Sequence, residues 1–501
     1  MRAVLLPSFL TPDTKQTSLN SGHTERQRVS ISIQFRDRLV RLLPVHQYIP
    51  NSDPEIKKEM LKEIGIKDSD ELFEVIPRNM LFKKNLDLPP TTPEYQVRRH
   101  IEQLLSKNKD SSELLSFLGS GCWPHWVPAV CDEINSRSEF LTAYTGDVYS
   151  DLGRFQALFE FQSMIGDLVA MDAVTSTTYD WASAAGDALR MAVLVTERHE
   201  VLVPRNMSPD KLSILSNYCG NVAHIQQLQY EPRTGQIDIE DLKNKISEKT
   251  AAVYVENPTY LGVIETKGKE IAEITHEKQA LLSVGVEPLS LGILAPPGEY
   301  GADIVCGEGQ PLGLHLSFGG ASAGFIACRD DEQFLSATGH RLISITTTKR
   351  KGEWGFTFVL PERSMYVARD KSACLTGTGT LLWAITGAVY LSLLGPKGIA
   401  ELAEAIMKTS YYAMKRLSEI PGVCVPIFQS PHFEEFTVNF DGTRSSIGEV
   451  NKALLKHGIQ GGKDISLEFP ELGKTAMYCT TEVHSKDDID KLATTLERVV
   501  K

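Results

Sequence analysis

Between about residues 114 and 329, short runs of apolar and β-branched residues alternate with amphipathic stretches. The apolar runs are residues 201–203, 251–255, 281–286, 304–306 and 325–328. Residues 239–246 and 269–276 are amphipathic stretches between these runs. Strands that are nearly continuously apolar are buried on both faces, and strands that alternate with helices are typical of a mostly parallel sheet covered by helices. The pattern therefore predicts an α/β fold.

The residues from about 398 onwards have the pattern of a second, smaller α/β unit. Residues 433–440 and 476–480 are predicted strands, and residues 447–457 are a predicted helix between them. Ser485 is suited to cap a final helix whose apolar residues recur at helical spacing. The chain is thus expected to contain a large parallel-sheet domain followed by a small C-terminal α/β domain.

The region before residue 114 has a different composition. The first 45 residues contain few acidic residues and no apolar core of a secretory signal, and residues 86–93 are rich in proline. We predict an extension over residues 1–45 that is disordered or not native, and an N-terminal helical segment with a linker over residues 46–113. The large domain is predicted over residues 114–375, and a linking helix with the small domain over residues 376–501.

Charge and cysteine content limit the classes of function. The formal net charge is −12, which argues against nucleic acid or an anionic membrane as the main partner. No apolar run approaches the roughly 20 residues that cross a bilayer. The eight cysteines form no CxxC pair, so we expect no metal site and free thiols in a reducing compartment. A cytoplasmic protein is the expectation.

The order of the two α/β domains resembles pyridoxal-phosphate enzymes of the aspartate-aminotransferase type. Such enzymes need a lysine that forms an imine with the cofactor and a carboxylate that keeps the pyridine nitrogen protonated. Here the strand 281–284 ends in Gly285 where the carboxylate is expected, and Gln310 and Pro311 occupy the place of a His-Lys pair. There is no lysine between Lys278 and Lys349. We therefore predict that this chain does not bind the cofactor covalently and has no catalytic residue of its own.

Several longer motifs narrow the resemblance. They are SEFLTAYT at 138–145, QALFEFQ at 156–162, ENP at 256–258, GVIE at 262–265, GEYGADIV at 298–305, GEGQPLG at 307–313 and SFGG at 317–320. With these motifs the sequence resembles subunit 1 of the split glycine dehydrogenase (decarboxylating), the P protein of the glycine cleavage system.

The resemblance implies a function that depends on a partner. A lysine-bearing subunit 2 would carry the pyridoxal phosphate, and the chain alone would be inactive. Together the two subunits would decarboxylate glycine and transfer its aminomethyl group to a lipoyl carrier protein. This chain would complete the active site of its partner.

Two segments depart from the family pattern and leave alternatives open. Residues 146–154 and 373–378 differ from the motifs usual at these places. They favour, as an alternative, a divergent scaffold or regulatory pseudo-subunit without glycine decarboxylase activity. A third interpretation is an independent aminotransferase that uses a lysine elsewhere in the chain, but the missing carboxylate at Gly285 argues against it.

Seven residues are candidates for the pocket or for the partner's site. His125 lies between two tryptophans, Tyr144 and Thr145 offer hydroxyls, and small residues follow Tyr179 and Asp180 at a predicted helix start that could bind phosphate. Glu308 and Gln310 lie in a glycine-rich loop. A structural role is the alternative for each: a satisfied buried histidine, packing at a strand end, a helix cap, or a tight turn between buried strands. The candidates are His125, Tyr144, Thr145, Tyr179, Asp180, Glu308 and Gln310.

Overall fold

The computed structural model describes residues 48–49, 51–82, 87–141, 154–175, 177–320, 322–359 and 379–501. The chain divides into two compact units, residues 1–101 and 102–501. The domain boundaries predicted above remain predictions.

In the first unit a helix spans Pro54–Ile64. Asp53 caps it by accepting hydrogen bonds from the backbone N–H groups of Glu55 and Ile56, and Gly65 ends it with φ at 84°. A 3-10 helix follows at Ser69–Phe73. Ile56, Met60 and Ile64 recur every four residues, a spacing that places them on one face of this helix. This apolar face is exposed in the structure, with Ile56 at 43% and Ile64 at 59%.

The second unit is built on strands joined by helices. The described strands are β1 (Leu115–Ser116), β2 (Ala173–Val174), β3 (Glu200–Pro204), β4 (His224–Leu228), β5 (Thr250–Asn257), β6 (Leu281–Val286), β7 (Ile304–Glu308), β8 (Gly324–Cys328), β9 (Ile343–Thr347), β10 (Trp354–Phe358), β11 (Glu435–Asn439), β12 (Ile459–Gln460), β13 (Lys463–Asp464) and β14 (Thr475–Cys479). The described helices are Glu94–Leu105, which spans the boundary between the units, then Ala129–Asn135, Ser138–Leu141, Phe155–Val169, Trp181–Thr196, Pro209–Cys219, Ile239–Lys245, Gly268–Glu277, Glu332–Ala337, Leu381–Ser418, Ile447–Lys456 and Lys486–Val500.

Seven strands form the central sheet, in the order β2-β8-β7-β6-β5-β3-β4. The strands β4, β3, β5, β6 and β7 are mutually parallel, while β8 runs antiparallel to β7 and to β2. All eight residues of β5 are buried. Alternate β5 side chains pack into two hydrophobic clusters, Val253 and Val255 in one and Ala252 and Tyr254 in the other. The predicted α/β fold with a mostly parallel sheet is confirmed.

The C-terminal part forms the smaller sheet. β14 pairs antiparallel with both β11 and β13, and the helices Ile447–Lys456 and Lys486–Val500 contribute to the same hydrophobic cluster. Ser485 and Asp488 form a capping box, as the sequence predicts for the last helix.

The helix Leu381–Ser418 is longer and more apolar than the apolar runs of the sequence suggest. By length and composition it is apolar enough to cross a membrane. However, 44% of its most apolar stretch is buried inside the protein, and the backbone of Gly395 (φ 61°, ψ 179°) interrupts it. The core helix of a globular protein can have the same length and the same apolar composition. The absence of a membrane partner remains a prediction.

Two strand ends differ from the sequence prediction. β6 continues to Val286, so Gly285 lies inside the strand, where it pairs with Glu256 of β5 and Cys306 of β7. β7 continues to Glu308, which pairs with Gly324. Sheet pairing extends β6 past Gly285 to Val286 and extends β7 past its apolar residues to Glu308. A polar residue therefore stands at the carboxyl end of three adjacent strands: Glu256 near the end of β5, Glu287 directly after β6, and Glu308 at the end of β7. Ligands of open α/β sheets bind at this edge.

Candidate functional site

A cleft of about 250 Å³ opens at the carboxyl ends of β5, β6 and β7. The N-terminus of the helix Trp181–Thr196 also lines it, as do Glu434 and Glu435 at the start of β11. Its carboxyl groups belong to Asp180, Asp210, Glu256, Glu287, Glu308, Glu434 and Glu435. Lys211 is a cationic side chain in the same lining. The cleft is therefore rich in acidic groups that have few positive charges beside them.

Glu308 is held by backbone N–H groups. Its Oε1 accepts hydrogen bonds from the N–H groups of Gly309 (3.1 Å), Gln310 (3.0 Å) and Ala323 (3.3 Å). Its Oε2 accepts one from the N–H of Trp181 (3.1 Å), the first residue of the helix Trp181–Thr196. The side chain is 3% exposed. Burial raises the pKa of Glu308 to about 7, and the backbone donors oppose this rise.

Asp180 caps the same helix. Its side chain accepts a hydrogen bond from the N–H of Ser183 at 2.7 Å, and the Ser183 hydroxyl accepts one from the N–H of Asp180. Tyr179, which precedes it, is 43% exposed. The structure thus places Asp180 beside Glu308 at the start of one helix. Both carboxylates accept hydrogen bonds from N–H groups that would otherwise be available to a bound anion.

Gln310 ties two loops together. Its Oε1 accepts a hydrogen bond from the N–H of Trp123 (3.0 Å), and its Nε2 donates to the carbonyls of Trp123 (3.1 Å) and Leu314 (3.0 Å). The side chain is 1% exposed, and Pro311 is also buried. The oxygen and the nitrogen of the Gln310 amide are therefore both hydrogen-bonded to backbone groups of the protein.

Gly285 has no space for a side chain. A Cβ atom built on it would lie 2.4 Å from the Tyr254 hydroxyl and 2.6 Å from the Trp181 indole nitrogen. Both distances are shorter than real contacts, and both neighbours are buried. A carboxylate at this position would require Trp181 and Tyr254 to move.

Lys211 brings an ammonium group into the cleft from the helix Pro209–Cys219. Its Nζ lies 2.6 Å from Glu256 Oε1 and 3.4 Å from the centre of the Trp181 ring. The Tyr254 hydroxyl donates to the same carboxylate oxygen at 3.0 Å. The ammonium group is therefore engaged by the Glu256 carboxylate and by the face of the Trp181 ring.

His125 is buried between two carboxylates. Its Nδ1 lies 2.9 Å from Glu482 and its Nε2 lies 3.5 Å from Glu434. Burial alone would lower the pKa of His125, but hydrogen bonds and charges of the two carboxylates outweigh it and raise the pKa to about 10. Burial acts to raise the pKa of Glu482, but the hydrogen bond and the charge of His125 act to lower it. The net result is a pKa of Glu482 below its usual value. The shorter contact identifies Glu482 as the ionised partner of His125.

Three further acids of the cleft, Glu287, Glu434 and Glu435, have raised pKa values. Burial and the nearby Glu434 raise the pKa of Glu287 to about 8. Burial raises the pKa of Glu434 to about 7, against the effect of His125, and that of Glu435 to about 7. Several of these carboxyl groups therefore bind protons near neutral pH, which reduces their mutual repulsion.

The seven predicted residues are brought together only in part. Asp180, Glu308 and Gln310 meet at the helix start, and His125 is connected to the cleft through Glu434. Tyr179 is at the surface. Tyr144 and Thr145 lie outside the described residues, as do the divergent residues 146–153 and 373–378.

Several residues of the cleft are not among those predicted from the sequence. They are Trp181, Lys211, Glu256, Glu287, Glu434 and Glu435. A signal for some of them was present: Glu256 follows the apolar run AAVYV, and Glu434 and Glu435 interrupt the apolar run around 433–440. A carboxylate in an otherwise buried strand indicates a site. Nothing in the local sequence of Lys211 distinguishes it from a surface lysine.

The arrangement does not fit pyridoxal phosphate. The anion position at the helix start is occupied by Glu308, and Gly285 leaves no room for a carboxylate opposite a pyridine nitrogen. Among the described residues there is also no group of three or more His, Cys, Asp or Glu side chains that could hold a metal ion.

Comparison with known proteins supplies the family context. The sequence matches the family described as "Glycine cleavage system P-protein" over residues 46–496. A similar protein from Staphylothermus marinus is 44% identical over 464 residues, covering 91% of this chain and 98% of the relative. A protein from Saccharolobus solfataricus is 38% identical over 461 residues, covering 91% and 98%. Both are named "Probable glycine dehydrogenase (decarboxylating) subunit 1".

A solved structure agrees with these sequence matches. It is the crystal structure of glycine decarboxylase (P-protein) of the glycine cleavage system in inhibitor-bound form. It is 33% identical in sequence, with a TM-score of 0.77, and the match covers 90% of this chain and all of that chain.

Proposed function

The chain belongs to the glycine cleavage system P-protein family, and from this premise we propose that it is the non-lysine subunit of a two-subunit glycine dehydrogenase (decarboxylating). The resemblance stated from the sequence motifs is confirmed by the family match. The observation that carries the proposal is the 307–313 segment, where Gln310 and Pro311 stand in place of a His-Lys pair and the Gln310 amide is bound to Trp123 and Leu314.

The cofactor of the proposed complex is pyridoxal phosphate bound by a lysine-bearing subunit 2. The enzymatic role of this chain therefore depends on that partner. The occupied helix start at Glu308 and the crowded Gly285 support this assignment, because they leave no place for the cofactor here. Glycine is the substrate, a lipoyl carrier protein accepts the aminomethyl group, and the complex works in the cytoplasm.

The chain's own residues contribute shape and charge to this function. His125, Glu434 and Glu482 form a buried charged group that holds the segment around Trp123 against residues next to β11 and β14. These contacts connect His125 to the residues before β11 and after β14, and Ser120, Gly121 and Trp123 of the same segment line the cleft.

Reconstitution with the lysine-bearing paralogue of the same organism tests the proposal. We expect glycine-dependent exchange of labelled carbon dioxide by the co-expressed pair and none by this chain alone. The control is the same pair in which the cofactor lysine of subunit 2 is changed to alanine, which should abolish exchange without dissociating the complex.

Two outcomes would count against the proposal. A stable heteromer without exchange would favour the scaffold or pseudo-subunit alternative, whose motivating segments lie outside the described residues except for Arg154. Exchange by the isolated chain, with an adduct on Lys211 trapped by borohydride, would instead favour an independent enzyme.

A further inference from the structure

We infer that this chain fills its own cofactor site, with the Glu308 carboxylate in the place of a phosphate and the Trp181 indole in the space of a pyridine ring. The inference goes beyond the proposed function, which requires only that no imine forms on this chain. It states that the chain excludes phosphorylated cofactors even without a covalent bond.

The first support is the convergence of backbone N–H groups on Glu308. Four N–H groups, from Trp181, Gly309, Gln310 and Ala323, point at its two oxygens within 3.0–3.3 Å. A helix N-terminus combined with consecutive loop N–H groups is a binding site for phosphate. Here a side chain from β7 already satisfies these donors.

The second support is electrostatic. A phosphate at this helix start would lie beside the Asp180 carboxylate, which accepts the N–H of Ser183. A site that binds phosphate presents donors and positive charge, whereas this start presents two carboxylates. The ammonium group of Lys211, which lies in the cleft lining, is paired with Glu256 at 2.6 Å.

The third support is the packing of Trp181. Its indole nitrogen would be 2.6 Å from a Cβ at Gly285, and Lys211 covers its ring at 3.4 Å. Trp181 is 6% exposed and Tyr254 is not exposed. The planar space next to β6 is therefore occupied by a ring that belongs to the protein.

Inorganic phosphate is the probe for the anion position. The variant Glu308→Ala removes the carboxylate and leaves the N–H groups of Trp181, Gln310 and Ala323 without this acceptor, which should lower the melting temperature. The N–H of Gly309 keeps the carbonyl of Ala323 as an acceptor. We expect phosphate to raise the melting temperature of this variant by about 2 °C or more relative to potassium chloride of equal ionic strength. The wild-type chain should show no such rise.

Glu308→Gln is the matched control. The amide fills the same space and its oxygen can still accept backbone hydrogen bonds, so phosphate should not stabilise this variant. If phosphate stabilises the wild type and Glu308→Ala equally, or stabilises neither, the inference is wrong. If phosphate stabilises Glu308→Gln as much as Glu308→Ala, the inference is also overturned. Phosphate binding would then not depend on whether a side chain at position 308 fills the site.

A measurement on the wild-type chain keeps the inference testable if Glu308→Ala does not fold. Equilibrium dialysis of pyridoxal 5′-phosphate against the isolated wild-type chain should give no saturable binding. Borohydride reduction and peptide mapping should find no adduct at Lys211. Saturable binding in the cleft would overturn the inference, yet glycine-dependent exchange by the reconstituted pair would leave the proposed function intact, so the two can fail separately.

Discussion

At the scale of single residues, the shape of the cleft depends on side chains that form hydrogen bonds with backbone groups. Gln310 and Glu308 differ in charge, but both are buried and both close loops by hydrogen bonds to main-chain atoms. A buried donor or acceptor that loses its partner costs about 1–3 kcal/mol. The residues of the 307–313 segment are therefore important for stability as well as for the identity of the site.

The Gln310→Ala variant tests this residue directly. It removes three hydrogen bonds and leaves the N–H and the carbonyl of Trp123 without this partner. We expect the free energy of unfolding to fall by about 2–4 kcal/mol, measured by urea denaturation. Gln156→Ala, which removes an exposed contact to Glu160, is the control and should change it by no more than about 0.5 kcal/mol. Equal effects of the two variants would contradict the structural role of Gln310.

At the scale of elements, the cleft depends on how loops after the parallel strands approach the small sheet. Gly262 follows β5 with φ at 80°, and a Cβ on it would lie 2.0 Å from the backbone oxygen of Glu435 in β11. The loop can contact the small sheet this closely because residue 262 is glycine. This contact joins the carboxyl end of β5 to the strand that carries Glu435.

The Gly262→Ala variant should therefore be strongly destabilised. A left-handed backbone and a backbone clash act together, and we expect a loss of more than about 3 kcal/mol in the free energy of unfolding. Gly448→Ala is the matched control, since Gly448 lies in the helix Ile447–Lys456 with no atom within 4 Å of its Cβ position. That change should be neutral or stabilising by up to about 1 kcal/mol. A Gly262→Ala protein as stable as the control would show that the two elements do not approach as described.

At the scale of the whole molecule, the buried acids make stability depend on pH. The pKa values of Glu287 (about 8) and of Glu308, Glu434 and Glu435 (about 7) lie above the ordinary value of 4.5. The folded chain thus keeps protons that the unfolded chain has released, and stability falls as pH rises from about 4.5 to about 8. His125, with its pKa raised from 6.5 to about 10, loses its stabilising contribution between those two values. Both effects have the same sign.

We therefore expect a melting temperature several degrees lower at pH 8.5 than at pH 5.5, on the order of 3 °C or more. Scanning calorimetry of the isolated chain across this range measures it. Glu287→Gln, which carries no titratable group, should flatten the decline between pH 6 and pH 8. A melting temperature that rises over this interval would mean that the carboxyl groups are ionised and paired in the folded chain.

The sequence alone determined the family and the class of fold, because both can be recognised from patterns of neighbouring residues. Apolar runs of strand length, amphipathic stretches between them and the cap at Ser485 each depend on neighbouring residues, and the segment GEGQPLG lies within a few positions. The absence of a lysine there could also be read directly. Strand ends were predicted less well, since sheet pairing extends β6 past Gly285 to Val286 and β7 past Cys306 to Glu308.

Only the tertiary structure decided what fills the cleft. Lys211, Glu256 and Trp181 are distant in sequence, and their contacts arise because parallel strands end at one edge of the sheet while a helix begins beside them. Burial has two consequences for the chemistry of the cleft. It raises the pKa of Glu287, and it makes an unpaired backbone N–H group costly, so that the hydrogen bonds which Glu308 accepts are stabilising. Desolvation is a property of the folded molecule, and no local sequence pattern specifies it.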